Sequence, residues 1–124
     1  MEKPQSREHA REMICSMRGR EHNVHTGVAL INIGNCCEEE DGEHATRILC
    51  ERQFFCTTKV HFCDGESLTN DVIDDYISTD EPYDKAGGYG IQGIAGCFVK
   101  GIEGCYYNVM GLPLSRLAIE IGKL

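Results

Sequence analysis

The chain has 124 residues, and its 20 acidic side chains outnumber its 12 lysines and arginines, which gives a formal net charge of −8. A chain of this length forms one small domain with a modest core. The acidic balance argues against nucleic acid as a partner, and no apolar run reaches the length of a membrane span. The charged N-terminus, MEKPQSREHARE, lacks the apolar core of a signal peptide and favours a cytoplasmic location.

The first predicted element is a helix over residues 6–18. Four apolar residues recur at the i, i+3, i+4 and i+7 spacing of one helix face, namely Ala10, Met13, Ile14 and Met17. Ser6 is the expected N-cap and Gly19 the expected stop. We therefore expect this helix to pack on the core through a single apolar stripe.

Two strand regions follow, over residues 22–35 and 46–63. The first, HNVHTGVALINIGN, is dense in Val, Ile, Leu and Thr, and is expected to be buried on both faces at its centre. Its two histidines, His22 and His25, are three residues apart and therefore point to opposite faces of a strand. The intervening stretch, CCEEEDGEHA, is predicted to be a polar loop with solvated acids. Together the two regions predict a long hairpin.

A second helix is predicted to begin after Thr69, whose hydroxyl makes a good N-cap. The residues of its apolar side are Leu68, Val72, Ile73, Tyr76 and Ile77. Three aspartates share the opposite face, namely Asp71, Asp74 and Asp75. They either hold a cation or form a solvated acidic surface, and the second explanation is the commoner one.

The C-terminal third is predicted to contain a short strand over residues 95–102 and a helix over residues 113–121. The apolar residues expected to face inward from that helix are Leu114, Leu117, Ala118 and Ile121. The predicted order, β-β-α-(glycine loop)-β-α, is typical of an α/β or α+β domain. We therefore expect a mixed, partly antiparallel sheet flanked by helices.

Eight cysteines in so short a chain raise the alternative of a disulfide-bonded or zinc-binding module. No C-x-x-C pair is present, which argues against a zinc ribbon and a thioredoxin-like site. Cys36 and Cys37 are adjacent, beside the acidic loop. Since the chain shows no secretory signal, we expect cytosolic thiols that serve as small apolar side chains.

The stretch DKAGGYGIQG, residues 84–93, contains the dinucleotide-binding pattern G-x-G-x-x-G at Gly88, Gly90 and Gly93. That motif requires a strand before the glycines and a helix after them. Here the predicted order is reversed, with a helix before the glycines and a strand after them. We therefore reject a Rossmann turn.

The same stretch has two other interpretations. Its glycines permit positive φ angles and close approach of the backbone to a ligand, and successive amides in such a turn can bind an anion. Lys85 adds a positive charge, and the amide of Gln92 matches the imide edge of thymine or uracil. The alternative is a tight structural turn with an exposed lysine, which the spacing alone favours.

Four segments resemble the Maf family of nucleotide pyrophosphatases, namely EKP near the N-terminus, RGREHNVHTGVALI, EPYDKAGGYGIQG and GCYYNVMGLPL. They occur in the family's order, and the resemblance extends over nearly the whole chain. IQG and VMGLPL look like the branch that acts on dTTP and UTP. GREHNVHTGVAL is similar to the Maf-like domain that animals fuse to a methyltransferase-like domain. The resemblance implies a Maf/ITPase-like fold over residues 1–124.

The resemblance also implies a metal-dependent hydrolysis. Water would attack the α-phosphorus of dTTP, UTP or a modified pyrimidine nucleotide, and the products would be the nucleoside monophosphate and pyrophosphate. Mg²⁺ or Mn²⁺ would neutralise the phosphate charge, which would let a chain of net charge −8 bind a polyanion. A homodimer is a further partner that we expect.

The family's functional residues map onto a few positions of this sequence. The resemblance implies a catalytic role near the phosphates for Lys3, and one in substrate choice for Gln92. The residues that match the family's substrate-binding loop are Glu81, Asp84, Lys85 and Gln92. Thr26 and Gly27 match its T-G-V segment, where a structural role fits equally well.

The chain also departs from the family pattern. Family members carry a phosphate-binding motif of the type S-x-S-P-R-R and an Asp-Thr pair whose aspartate is the catalytic, metal-linked residue. This chain contains no Ser-Pro, Arg-Arg or Asp-Thr pair. The metal ligands are therefore unknown, and we expect a Maf domain truncated at its N-terminus. The alternative function is an inactive module that binds a nucleotide or a protein partner without hydrolysis.

Overall fold

The computed structural model of the protein describes residues 1–35 and 46–124. The chain contains four α-helices and three strands within the described residues. In order they are α1 (Arg7–Met17), β1 (Glu21–Asn35), β2 (Thr46–Phe62), α2 (Asn70–Ile77), β3 (Val99–Glu103), α3 (Tyr106–Met110) and α4 (Leu114–Gly122). Three 3₁₀ segments, Glu81–Asp84, Ala86–Gly88 and Ile94–Phe98, occupy the region between α2 and β3.

Helix α1 forms where the sequence predicts it. The backbone of Ser6 is extended, and its hydroxyl accepts a hydrogen bond from the amide of His9, which satisfies one of the free donors of the first turn. The predicted stripe is confirmed, because the four buried residues are Ala10, Met13, Ile14 and Met17. Gly19 follows at a φ of +68°, a left-handed conformation that favours glycine after a helix.

The predicted hairpin is confirmed. Strands β1 and β2 pair antiparallel from Glu21 opposite His61 to Asn35 opposite Thr46, with one irregularity after Asn32. Strand β3 pairs antiparallel with the other edge of β2, which gives the order β1-β2-β3. The expected combination of helices and a sheet is therefore confirmed, and the pairings between described strands are antiparallel.

The sheet has one covered and one open face. The core lies on the covered face, where Val60 and Phe62 of β2 pack with Ile14 of α1, Ile73 of α2 and Phe98. The expectation that the centre of β1 is buried on both faces is wrong. Alternate residues of β1 are exposed, and on the same open face of β2 the exposure of Phe55 reaches 73%.

Helix α2 has the predicted cap and the predicted inner side. The hydroxyl of Thr69 accepts a hydrogen bond from the amide of Val72, and Ile73, Tyr76 and Ile77 are buried. Val72 lies at the margin and is 37% exposed. On the acidic side of the helix, Asp74 forms an ion pair with Arg11 of α1. That carboxylate therefore helps to join two helices.

The predicted strand over residues 95–102 begins later than expected. Residues Ile94–Phe98 form a 3₁₀ segment, and the strand begins at Val99. Ala95 and Phe98, three residues apart, are both buried. A three-residue spacing places side chains on one side of a 3₁₀ turn, so the apolar residues that suggested a strand anchor this turn instead. Helix α3 was not predicted.

Helix α4 forms as predicted but packs through a different side. Leu114 and Ile121, which were expected to face inward, are 45% and 52% exposed. The buried residue is Glu120, whose carboxylate pairs with Arg52 of β2 at 3.2 Å and with Arg116 at 2.9 Å. An ion-pair cluster therefore attaches α4 to the sheet, and the apolar stripe of the helix remains exposed.

This cluster predicts a pH dependence of stability. The hydrogen bond from Arg116, together with the charges of Lys123 and Arg52, holds the pKa of Glu120 below its ordinary value. A carboxyl group with a depressed pKa stabilises the folded state above its unfolded pKa, and this contribution is lost as the pH falls through the folded pKa. Between about pH 7 and pH 3, the urea midpoint should fall more steeply for the wild type than for Glu120→Gln.

A matched control isolates this effect from the titration of other carboxylates. Glu66 is exposed, so Glu66→Gln should keep the wild-type slope of urea midpoint against pH. Equal slopes for the wild type and Glu120→Gln would contradict an ion-pair attachment of α4.

The cysteines in the described part of the chain are free thiols, namely Cys15, Cys50, Cys56, Cys63, Cys97 and Cys105. This finding agrees with the expectation that the cysteines are thiols and not disulfides. Cys36, Cys37 and the predicted acidic loop lie outside the described residues. Among the helices that the structure describes, none has the length and apolar character needed to cross a membrane.

Candidate functional site

The glycine stretch follows α2 in the chain and forms a tight turn that packs against both α1 and α2. Gly87 and Gly88 adopt φ angles of +78° and +81°, which non-glycine residues rarely reach. The amide of Gly87 donates to the carbonyl of Glu2 at 3.0 Å, and the hydroxyl of Tyr76 donates to the carbonyl of Gly88 at 2.9 Å. The turn is therefore fixed to the N-terminal segment and to α2 at once.

Two later glycines are needed for space. The φ angle of Gly93 is −90°, and that of Gly90 is not positive either, so the expected positive φ applies to only two of the four glycines. A Cβ atom on Gly93 would overlap the carboxylate of Glu81, and one on Gly90 would lie 2.9 Å from the Lys85 side chain. Two of the predicted site residues thus pack directly against glycine backbone.

Hydrogen bonds hold the charged residues of this region in place. The Glu81 carboxylate accepts from the amide of Ile94, with oxygens at 2.9 and 3.2 Å. The Lys85 ammonium donates to the Glu81 carbonyl and to the Asp84 carboxylate, both at 2.9 Å. That bond from Lys85, with a smaller contribution from the charge of Lys3, holds the pKa of Asp84 below its ordinary value. Asp84 therefore carries its negative charge at neutral pH.

Two adjoining cavities lie beside the turn. The first, which we call the glutamine cavity, has a volume of about 470 Å³, and its lining includes Glu81, Lys85 and Gln92. The second, which we call the histidine cavity, has a volume of about 430 Å³, and its lining includes His22 and Met17. The residues that line both cavities are Ala86, Tyr89, Ile91 and Val109.

The structure therefore brings together three of the predicted site residues, Glu81, Lys85 and Gln92. Lys3 and Asp84 do not line either cavity, although the effect of Lys3 on the pKa of Asp84 places them near each other. Thr26 lies apart on β1, where its hydroxyl donates to the carbonyl of Asn108 at 3.4 Å. Gly27 borders a shallow cavity on the sheet, with Phe54 and Phe55.

Comparison with known families shows which family the chain belongs to. The family model described as Maf-like protein matches residues 1–124. The chain belongs to the Maf family. The resemblance read from the four sequence segments is therefore confirmed.

Three relatives of this Maf chain are described as dTTP/UTP pyrophosphatase. The relative from Geobacillus sp. is 45% identical over 122 residues, which are 98% of this chain and 56% of the relative. Those from Clostridium perfringens (strain 13 / Type A) and Desulforamulus reducens are 44% and 40% identical, over 94% of this chain and 53% and 52% of their own lengths. The chain spans about half the length of the curated relatives it matches.

Maf resemblance implies a divalent cation, Mg²⁺ or Mn²⁺. Mg²⁺ and Mn²⁺ require several oxygen ligands. Within residues 1–35 and 46–124, no three His, Cys, Asp or Glu side chains come together as a metal-binding group. Glu81 already accepts from Ile94, and Asp84 pairs with Lys85. The described residues of this Maf chain therefore do not form a complete Mg²⁺ or Mn²⁺ site by themselves.

Two residues of this candidate site were missed from the sequence, namely Tyr89, which lines both cavities, and His22, which bonds to it. Nε2 of His22 lies 2.6 Å from the hydroxyl of Tyr89. Burial lowers the pKa of His22 and raises that of Tyr89 to about 12, so both side chains are neutral near pH 7. The predicted opposite orientation of His22 and His25 is confirmed, because the His25 ring bonds to the exposed Thr57 on the open face of the sheet, although both residues border the histidine cavity. No local spacing signal links residues so distant along the chain.

Proposed function

We propose that the chain acts as a nucleoside triphosphate pyrophosphatase that converts dTTP and UTP to the nucleoside monophosphate and pyrophosphate. The observation that supports this most directly is the glutamine cavity, where Gln92, Lys85 and Glu81 meet. It belongs to a Maf family chain whose relatives are named dTTP/UTP pyrophosphatase.

The glutamine cavity suits a pyrimidine base. Gln92 is exposed, and no described hydrogen bond involves its amide, which therefore has one carbonyl acceptor and one NH₂ donor available. The imide edge of thymine or uracil offers the complementary N–H and C=O groups. Ile91 and Val109 supply apolar walls beside this amide. A few convergent polar groups in a mostly apolar cleft are typical of a small-molecule site.

A triphosphate at the edge of the turn would meet two lysines. Lys85 lines the glutamine cavity, and the charge of Lys3 contributes to lowering the pKa of Asp84. Because Lys85 pairs with Asp84 at 2.9 Å, a triphosphate would replace that carboxylate as the partner of the ammonium group. In the proposed reaction, water attacks the α-phosphorus and pyrophosphate leaves. Mg²⁺ or Mn²⁺ belongs to the proposal as the ion that the family resemblance implies, and we assign it no ligand among the described residues.

The second candidate is a module that binds nucleotides without hydrolysing them. The two carboxylates of the glycine turn already have partners, and the described residues form no metal-binding group. This absence of a metal-binding group among the described residues, beside a cavity with recognition groups, is the observation that favours the second candidate. A truncated domain, a cytoplasmic location and a homodimer remain predictions from the sequence.

The first experiment measures pyrophosphate release from dTTP and UTP by the purified chain, with Mn²⁺ and with EDTA. Metal-dependent release would support the enzyme. Binding of UTP without release, by isothermal titration calorimetry, would support the second candidate. A folded chain that neither binds nor hydrolyses these nucleotides would contradict both.

A substitution at Gln92 tests recognition of the base directly. Gln92→Ala should weaken UTP binding about threefold to tenfold, because it removes hydrogen bonds worth about 0.5–1.5 kcal/mol each. Gln53→Ala is the matched control, since Gln53 is also exposed but lies on the open face of the sheet. Unchanged UTP affinity in a folded Gln92→Ala protein would rule out base recognition by this amide.

A further inference from the structure

Tyr89 forms part of the wall of both the glutamine cavity and the histidine cavity. Of the four residues that line both cavities, Tyr89 alone is aromatic; the other three are Ala86, Ile91 and Val109. We infer that the Tyr89 ring packs against the face of the pyrimidine base, and that His22 is a positioning residue that fixes this ring. This inference rests on the proposed function and adds a residue that determines affinity for the base.

The backbone at Tyr89 is fixed by the turn that precedes it. Two consecutive left-handed glycines, Gly87 and Gly88, lead into an extended Tyr89 at φ −149° and ψ 155°. The hydroxyl of Tyr76, a buried residue of α2, holds the carbonyl of Gly88 at 2.9 Å. The Cα–Cβ direction of Tyr89 therefore depends on a rigid turn attached to the core.

The ring is fixed by two edge contacts and one hydrogen bond. Its centroid lies 4.9 Å from that of Phe62 at an interplanar angle of 71°, and 5.5 Å from that of His22 at 86°. Both are edge-to-face arrangements, which aromatic pairs favour. The hydroxyl bonds to Nε2 of His22 at 2.6 Å. Because His22 and Phe62 belong to strands of the sheet, the sheet sets the orientation of the ring.

The position and chemistry of this ring suit a stacking surface. Tyr89 precedes Gln92 by three residues, and both line the glutamine cavity. A neutral aromatic ring can cover the face of a base while an amide bonds to its edge, and the two contacts use different parts of one ligand. His22 lies behind Tyr89, on the side of the histidine cavity. It thus acts through the tyrosine hydroxyl and does not itself need to touch the base.

Calorimetric titrations with UTP and with inorganic tripolyphosphate, which lacks a base, test this assignment on the purified chain. Tyr89→Ala should weaken UTP binding about tenfold or more and leave tripolyphosphate binding within about twofold of the wild type. Tyr89→Phe and His22→Ala should each cause a smaller loss for UTP, because the ring remains but its anchor is gone. Their double variant should lose no more than His22→Ala alone, since the hydrogen bond that Tyr89→Phe removes is already absent in His22→Ala.

Tyr107→Ala is the matched control, because Tyr107 is half exposed and lines neither cavity. Equal losses for UTP and tripolyphosphate, or additive losses in the double variant, would overturn the inference. If Tyr89→Ala does not fold, Tyr89→Leu against Tyr89→Phe gives the same comparison. A wild type that fails to bind UTP would remove the proposed function as well, whereas unchanged UTP affinity in Tyr89→Ala would remove only this inference.

Discussion

Replacing Asn108 with leucine is expected to lower the free energy of unfolding by about 3 kcal/mol or more. The Asn108 side chain is completely buried. Its amide nitrogen donates to the carbonyl of Val24 at 3.1 Å, to that of Cys56 at 3.3 Å and to the hydroxyl of Thr58 at 3.0 Å. Two N–H groups thus satisfy three acceptors, on both long strands of the sheet.

The size of this effect follows from the hydrogen-bond acceptors that would lose their donor in Asn108→Leu. The buried Thr58 hydroxyl and two half-buried backbone carbonyls would lose this donor, and an unsatisfied buried group costs about 1–3 kcal/mol. Small domains have a total stability of about 5–15 kcal/mol, so this change would remove a large fraction of it. Asn108→Asp should be worse than leucine, because it keeps the shape and places a carboxylate against carbonyl oxygens.

Urea unfolding followed by circular dichroism measures the change. Asn23→Leu is the control, because Asn23 is exposed on β1, and substitutions at such positions usually change stability by less than about 0.5 kcal/mol. A wild-type urea midpoint in Asn108→Leu would show that the hydrogen bonds of α3 to the sheet contribute little.

Elements whose signal is local along the chain could be predicted from the sequence. The cap at Ser6 and the apolar stripe of α1 involve residues within a few positions of one another, as does the cap at Thr69. The convergence of Glu81, Lys85 and Gln92 was also accessible, because these residues lie close in sequence around glycines that turn the chain. The family resemblance added the substrate class.

Contacts between distant residues could not be predicted in this way. The bonds from Tyr89 to His22, from Asn108 to Val24 and from Arg52 to Glu120 join residues 67, 84 and 68 positions apart. A periodic pattern shows which side chains share a face, but not what covers that face. Helix α4 therefore has the predicted period while its buried residue is the charged Glu120, and alternate residues of β1 remain exposed.

Replacing Gly93 with alanine is the second change for which we expect a large effect. A Cβ atom at this position would overlap the carboxylate of Glu81, so that side chain would have to move. The amide of Ile94 would then lose its acceptor in an exposed hydrogen bond, and a typical hydrogen bond contributes about 0.5–1.5 kcal/mol to stability. The displaced carboxylate would also change the charge and shape of the glutamine cavity, which Glu81 and Gly93 both line.

We therefore expect Gly93→Ala to destabilise the chain by about 0.5–1.5 kcal/mol and to weaken UTP binding about tenfold. Gly101→Ala is the matched control, because a Cβ atom there would meet no atom within 4 Å. The effect should depend on Glu81, so that adding Gly93→Ala to Glu81→Ala should cost little further stability. An equal loss in both backgrounds would mean that Gly93 is required for a reason other than the space occupied by the Glu81 carboxylate.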